Sequence, residues 1–234
     1  LNNTLIINEL GQNLTSSLLL KETFELLFST LNSLMDAAVV DPYEDNGNEY
    51  LTSSAIAEIS DHCEWADVIA IGPGLGRNIK TISAVNEILD KFSNKKFIID
   101  ADAIFALQTS YKEVSLKNKI LTPHHKEFAD LINISLDQLK KDLLFYGKEF
   151  AQETKSYLVL KGAPTIIFNP KGEIFINSSG NSGMSKFGTG DVLTGIIAGF
   201  LSQSVNIEES LISAVYLHSL SADLLLEKLG EYGI

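Results

Sequence analysis

The strongest constraint on this chain is a rhythm. Short runs of Ile, Val, Leu and Phe recur along it, and segments with apolar residues at helical spacing fall between them. The runs at 4–8, 37–41, 67–72, 96–101, 119–122, 157–161, 165–169 and 173–177 predict strands. Several are continuous rather than alternating, the form taken by strands covered on both faces. The stretches 15–34, 53–60, 78–92, 124–132, 136–154, 191–202 and 207–229 predict helices. Such alternation implies a mostly parallel sheet with helices on both sides. The runs 165–169 and 173–177 differ, because they flank Asn169-Pro170-Lys171-Gly172 and read as an antiparallel hairpin. Segment 41–50 is polar and acidic and reads as a loop. With no repeat or linker, residues 1–234 read as a single domain. The Leu start and the unstopped helical pattern at the end are compatible with trimming at both termini.

Composition narrows the partners. The chain carries 30 Asp and Glu against 18 Lys and Arg, a formal charge of −12. Its field does not attract nucleic acid or an anionic membrane, so neither is an expected partner. A bound phosphate must therefore be held by local groups: backbone N–H, a helix N-terminus, a lysine or a metal. No apolar run is long enough to cross a bilayer. Cys63 is the only cysteine, which excludes an intrachain disulfide and fits a reducing cytoplasm.

In an α/β sheet ligands bind beyond the C-terminal ends of the strands, and four segments belong there. In 71–78 (IGPGLGRN), Gly72, Gly74 and Gly76 alternate, so the loop is either a ligand loop or a tight βα turn; its spacing is not that of a dinucleotide fingerprint. In 99–103 (IDADA), Asp100 and Asp102 could contact a metal or sugar hydroxyls, but Asp102 reads better as the N-cap of a short helix. In 121–127 (LTPHHKE), Pro123 suits a helix start, with Thr122 and Glu127 as helpers. His124 then falls at the ligand edge, while His125 reads as a solvated first-turn histidine, and His62 and His218, with nothing at ligand spacing nearby, have no ligand role either. The most informative segment is 177–195, where a loop rich in Ser, Asn and Gly runs into GTGDVLTG. Gly188, Thr189 and Gly190 leave the first N–H groups of the helix open as an anion hole. Asp191 is expected to stay ionised there and to accept a proton from a substrate hydroxyl; the alternative is an Asp cap on a Gly-rich turn. Lys161, before Gly162-Ala163-Pro164-Thr165, offers a point charge to phosphate.

Gly188-Thr189-Gly190-Asp191 at a helix start, after a hairpin in an α/β chain, resembles the ribokinase-like fold, a three-layer α/β/α sandwich. Together with IGPGLGR, IDADA, LTPHHKE and KGAPT in that order, it resembles more particularly the ADP-dependent NAD(P)H-hydrate dehydratases, over residues 36–234. The resemblance implies a metabolite-repair reaction. ADP phosphorylates the ring hydroxyl of the S-hydrate of NADH or NADPH, phosphate leaves, and AMP and phosphate are released. It further implies Asp191 as base and substrate contact, and Gly74, Gly76 and His124 as contacts to the hydrated dinucleotide. Lys161, Gly162, Ala163, Pro164, Thr165 and Gly190 would hold the adenine nucleotide, and Gly188, Thr189 and Gly190 the phosphoryl group. Mg²⁺ is expected, because ADP's charge must be neutralised in an acidic protein. GTGDVLTG is the bacterial, ADP-using form of the motif; a homo-oligomer, often a tetramer, is also implied.

The chain departs from the family pattern at three places. Ser182 stands where the family has Pro, Lys186-Phe187 replaces a glycine step, and residues 1–35 lack the usual glycine turn, with Gly11 the only glycine there. Lys186 adds a charge near phosphate and Phe187 is placed to tighten the hole. Two other functions share part of the pattern. A ribokinase-like small-molecule kinase would have Gly188–Asp191 without the joint presence of IGPGLGR and LTPHHKE. A nucleotide-binding module without turnover would follow from loss of the first βα unit.

Overall fold

The computed structural model describes residues 4–7, 50–186, 188–204 and 206–229. Among the described residues seven strands form one sheet in chain order: β1 (Thr4–Ile7), β2 (Val68–Ile71), β3 (Lys96–Ile99), β4 (Ile120–Leu121), β5 (Tyr157–Leu160), β6 (Thr165–Phe168) and β7 (Ile174–Asn177). Strands β1 to β5 run parallel, and β6 and β7 close the sheet as an antiparallel hairpin. The helices are α1 (Ala55–Trp65), α2 (Ile79–Lys91), α3 (Ala101–Ala106), α4 (His125–Leu131), α5 (Leu136–Lys141), α6 (Leu143–Thr154), α7 (Thr189–Gln203) and α8 (Ile207–Leu229). The sequence predictions at 15–34, 37–41, most of 41–50 and Phe187 lie outside the described residues.

The strand order explains the layering. Strands laid down in sequence, joined by crossovers of one hand, put every crossover helix on the same face. Ile69 and Ile71 of β2, Phe97 and Ile99 of β3, Leu158 and Leu160 of β5, and Phe168 of β6 turn to that face, where they pack with Ile88 of α2, Phe128 of α4 and Phe150 of α6. The intervening Val68, Ala70, Ile98, Val159 and Ile167 turn to the other face, onto Leu193, Ile197 and Leu201 of α7 and Leu211 and Val215 of α8. A period of two residues thus feeds two cores, which is why these strands read as unbroken apolar runs. After the hairpin the chain reaches this second face, where α7 and α8 pack. Among the described residues no helix is long and apolar enough to cross a membrane.

The helix boundaries differ from the sequence reading at three points. The predicted helix 136–154 is two helices, broken at Asp142, whose backbone leaves the helical region and whose side chain accepts from the Phe145 N–H at 3.2 Å. An aspartate within a periodic run competes for backbone donors and starts a new helix. Helix α1 continues past Ser60 to Trp65, burying Cys63. The short helix after β3 begins two residues earlier than expected, with Asp100 rather than Asp102 as its N-cap.

Candidate active site

Because β2 to β5 are parallel, the segments that follow them share one edge. After β2, Gly72 has φ of +135° and a side chain there would meet the Asp100 carbonyl oxygen at 1.7 Å, so this turn admits only glycine. Leu75 plugs the core, while Gly74 and Gly76 face outward. The loop is tied down by Asp102, whose carboxylate accepts from the Gly76 N–H at 3.0 Å and pairs with Arg77 Nε at 2.9 Å. Arg77 also lies over the Phe105 ring, 4.6 Å from its centroid. Asp102 is therefore not the expected N-cap. It sits inside the first turn of α3, aimed back at the glycine loop.

After β4, His124 caps α4. Its Nδ1 accepts from the N–H groups of Lys126 and Glu127, each at 3.1 Å, and the Glu127 carboxylate accepts from the His124 N–H at 2.8 Å. The capping box leaves Nδ1 as the acceptor and places Nε2 3.4 Å from Glu127 Oε1, on a ring that is about half exposed. Thr122, expected to help the helix start, is buried and bonds the Ile99 carbonyl instead. His125 is not a solvated first-turn residue: it is half-buried, and a side chain on Gly162 would come within 2.8 Å of its Nε2. Burial first, then Lys140 and His124, push its pKa down.

After β5, the Lys161 N–H donates to the Pro123 carbonyl at 2.8 Å, setting the 161–165 turn beside His124. The Thr165 hydroxyl closes that turn on the Gly162 carbonyl at 3.1 Å. Gly162, Ala163 and Pro164 are exposed, a rim open to a ligand. Lys161 points inward. Its ammonium lies 2.7 Å from Asp100 Oδ1, and a Cβ on Gly190 would be 3.3 Å from it.

That contact joins the sheet edge to α7. Gly188, with φ of +88°, is the N-cap, and no side chain caps the helix. A helix that starts on a glycine leaves its first-turn N–H groups to an outside acceptor. Asp191 sits three residues in, exposed on this turn. Its pKa is raised, first by desolvation and then by the Asp100 charge, with Lys161 opposing. The direction is opposite to what the helix end alone predicts, and it makes Asp191 the better proton acceptor. The loop before α7 is strapped to α8: Asp223 accepts from the Gly180 N–H at 2.8 Å and from Asn181 Nδ2 at 2.9 Å, and Asn177 donates to Ser219 at 2.9 Å. His218, read from sequence as unremarkable, bonds the Thr189 backbone in that same first turn.

Lys161, Gly190 and Asp191 thus come together, with His124 on the neighbouring turn, while Gly74 and Gly76 stand on the adjoining loop. Sequence reasoning missed Asp100 as the centre of the arrangement, and Thr194, whose hydroxyl donates to Asp100 Oδ2 at 2.8 Å. A carboxylate at a strand end was visible, but its partners lie far along the chain.

Among the described residues no group of three His, Cys, Asp or Glu could hold a metal. Both Asp100 oxygens are engaged by Lys161 and Thr194, and Asp102 is engaged by Gly76 and Arg77.

A mostly parallel sheet closed by a hairpin, with an open helix start at its edge, is the ribokinase-like architecture. A solved ribokinase-like superfamily protein from Enterococcus faecalis has 33% sequence identity and a TM-score of 0.69, over 85% of this chain and 66% of that one. The chain belongs to the NAD(P)H-hydrate dehydratase family, which it matches over residues 26–233. A bifunctional NAD(P)H-hydrate repair enzyme from Moorella thermoacetica is 36% identical over 183 residues, 77% of this chain. The chain spans about a third of that relative's length, 34%. An ADP/ATP-dependent NAD(P)H-hydrate dehydratase from Bacillus subtilis, co-crystallised with ATP and Mg²⁺ and soaked with CoA, is 30% identical with a TM-score of 0.64, over 78% of this chain and 73% of that one.

Proposed function

We propose that this chain dehydrates the S-hydrate of NADH or NADPH at the expense of ADP. The observation that carries the reading is the juxtaposition of Lys161 with the uncapped first turn of α7, one residue from Asp191. The family membership supplies the substrate class. In this reading Asp191 takes the proton of the ring hydroxyl as its oxygen attacks the β-phosphorus of ADP, and AMP leaves. The first-turn N–H groups of α7 and the Lys161 ammonium hold the phosphoryl group as charge spreads over its oxygens. Loss of phosphate from one ring carbon and of a proton from its neighbour restores the double bond. The sum is hydrate plus ADP to NAD(P)H, AMP and phosphate.

Phosphorylation is the physical solution to a leaving-group problem, since hydroxide leaves poorly and phosphate well. Catalysis then needs position and charge more than covalent chemistry. The exposed Gly162, Ala163 and Pro164, with Thr165 closing their turn, receive the adenine nucleotide, and Gly74, Gly76 and His124 face the hydrated dinucleotide. Mg²⁺ accompanies the ADP phosphates and offsets their charge. A reducing cytoplasm, where NAD(P)H and ADP meet, is the matching setting, and a homo-oligomer the matching assembly.

The test is product stoichiometry. Full-length protein with S-NADHX, ADP and Mg²⁺ should release AMP, phosphate and NADH in equal amounts. A phosphorylated product that accumulates without NADH would replace this reading with a kinase; nucleotide binding without any product would replace it with a binding module.

A further inference from the structure

We propose that Asp100 is the positioning residue of this site: from the end of β3 it holds the Lys161 ammonium against the first turn of α7, so that lysine and helix N–H groups meet one phosphoryl group together. The inference rests on the function proposed above for where the phosphoryl group sits. The geometry of the pair stands independently of it.

Asp100 is 1% exposed, and a carboxylate so buried is costly unless it is paired with a cation and hydrogen-bonded. Asp100 meets that demand with one charged partner and three hydrogen bonds on its two oxygens, which fill three of about four acceptor sites: Oδ1 accepts from Lys161 Nζ at 2.7 Å and from the Ala101 N–H at 2.9 Å, and Oδ2 accepts from the Thr194 hydroxyl at 2.8 Å. Capping a six-residue helix does not need a buried charge, because Ser or Asn would serve. What needs the charge is Lys161. A lysine stem is flexible and its ammonium a point charge without fixed direction. Anchored to Oδ1, the ammonium lies over Gly190, where even a methyl group would come within 3.3 Å of it.

Thr194 completes the logic. It lies one turn beyond Gly190 on α7, so the helix that supplies the N–H groups also fixes the carboxylate that fixes the lysine. Strand β3, the turn after β5 and helix α7 are thereby locked across separations of 61 and 94 residues. The Asp100 charge also raises the proton affinity of Asp191. With its oxygens engaged, Asp100 itself has no role in touching substrate.

The test is a double-mutant cycle on the full chain, with Asp100→Asn, Lys161→Gln and both together. Asp100→Asn keeps the shape and, with its oxygen toward Ala101, the Ala101 bond; its NH2 then donates to the Thr194 hydroxyl, which reverses that bond, and the charge that holds the ammonium is removed. A fall in kcat of about 10- to 100-fold is expected, the scale of a misplaced catalytic group. In the Lys161→Gln background, at a pH above the acid limb of Asp191, the same change should alter kcat by less than about twofold, because the group it positions is gone. Equal losses in both backgrounds, or no loss in either, would overturn the proposal. Should Asp100→Asn not fold, Thr194→Val frees Oδ2 and takes its place in the cycle, with a smaller loss expected only when Lys161 is present; loss in both backgrounds again overturns it. If the wild-type chain forms no NAD(P)H, the functional reading fails and the cycle is read instead from ADP affinity by calorimetry. Non-additive weakening upholds the positioning role there, and additive weakening rejects it.

Discussion

Two glycines in one loop provide a controlled comparison. Gly72 and Gly76 both have positive φ, +135° and +75°, and both precede α2. A Cβ on Gly72 would lie 1.7 Å from the Asp100 carbonyl oxygen and 3.1 Å from Ala103 Cβ, whereas a Cβ on Gly76 would meet nothing within 4 Å. Gly76→Ala should therefore cost only the left-handed backbone, about 1–2 kcal/mol. Gly72→Ala adds a collision with backbone that cannot swing aside. Strain of about 1–3 kcal/mol plus overpacking of about 1–3 kcal/mol gives about 2–6 kcal/mol. That is a large share of a stability of roughly 5–15 kcal/mol. At about 2–4 °C per kcal/mol for a domain of this size, Gly72→Ala should melt roughly 4–24 °C lower and Gly76→Ala roughly 2–8 °C lower. Thermal unfolding of the three proteins, with urea titrations alongside, reads the difference. Equal melting of the two variants, or a Gly72→Ala protein that melts with the wild type, would refute the close approach between this loop and Asp100.

Three further outcomes are expected. A base must be ionised to work, so kcat/KM should fall as pH drops through the raised pKa of Asp191; Asp100→Asn removes one cause of the rise, so its acid limb should move to lower pH, and an unmoved limb would disprove the coupling. Burial lowers the pKa of His125 in the folded chain, so the unfolded chain binds the proton first: stability should fall as pH drops from about 6.5 through the folded value, and His125→Gln should flatten that fall in urea titrations. Cys63 is buried and desolvation pushes its pKa up to about 11, so it should resist thiol reagents in the native protein and react at once in denaturant.

The sheet was legible because strands buried on both faces must be apolar throughout, and Val68–Ile71 and Tyr157–Leu160 are. The helix start at Gly188 was legible because glycines beside a small-residue loop serve few other purposes. Local competition was harder to read: Asp142 splits a run whose apolar spacing never falters, and Asp100 rather than Asp102 takes the cap. Long-range pairing left no mark at all. Nothing in the neighbourhood of Asp100 reveals Lys161 or Thr194, and nothing near His218 reveals Thr189, because sheet order and layering bring them together. Function entered through motifs, and the physical centre of the site entered only with the fold.

The central claim is that Asp191, at the open end of α7, serves as base in an ADP-driven dehydration. The most direct measurement is the near-ultraviolet absorbance of restored dihydronicotinamide, with S-NADHX, Mg²⁺ and either ADP or ATP, for the wild-type chain and Asp191→Asn. A rise with ADP is expected that Asp191→Asn abolishes while AMP still binds. A rise that survives Asp191→Asn would contradict the assignment of the base, and a wild-type chain that binds AMP without any rise would contradict the dehydration itself.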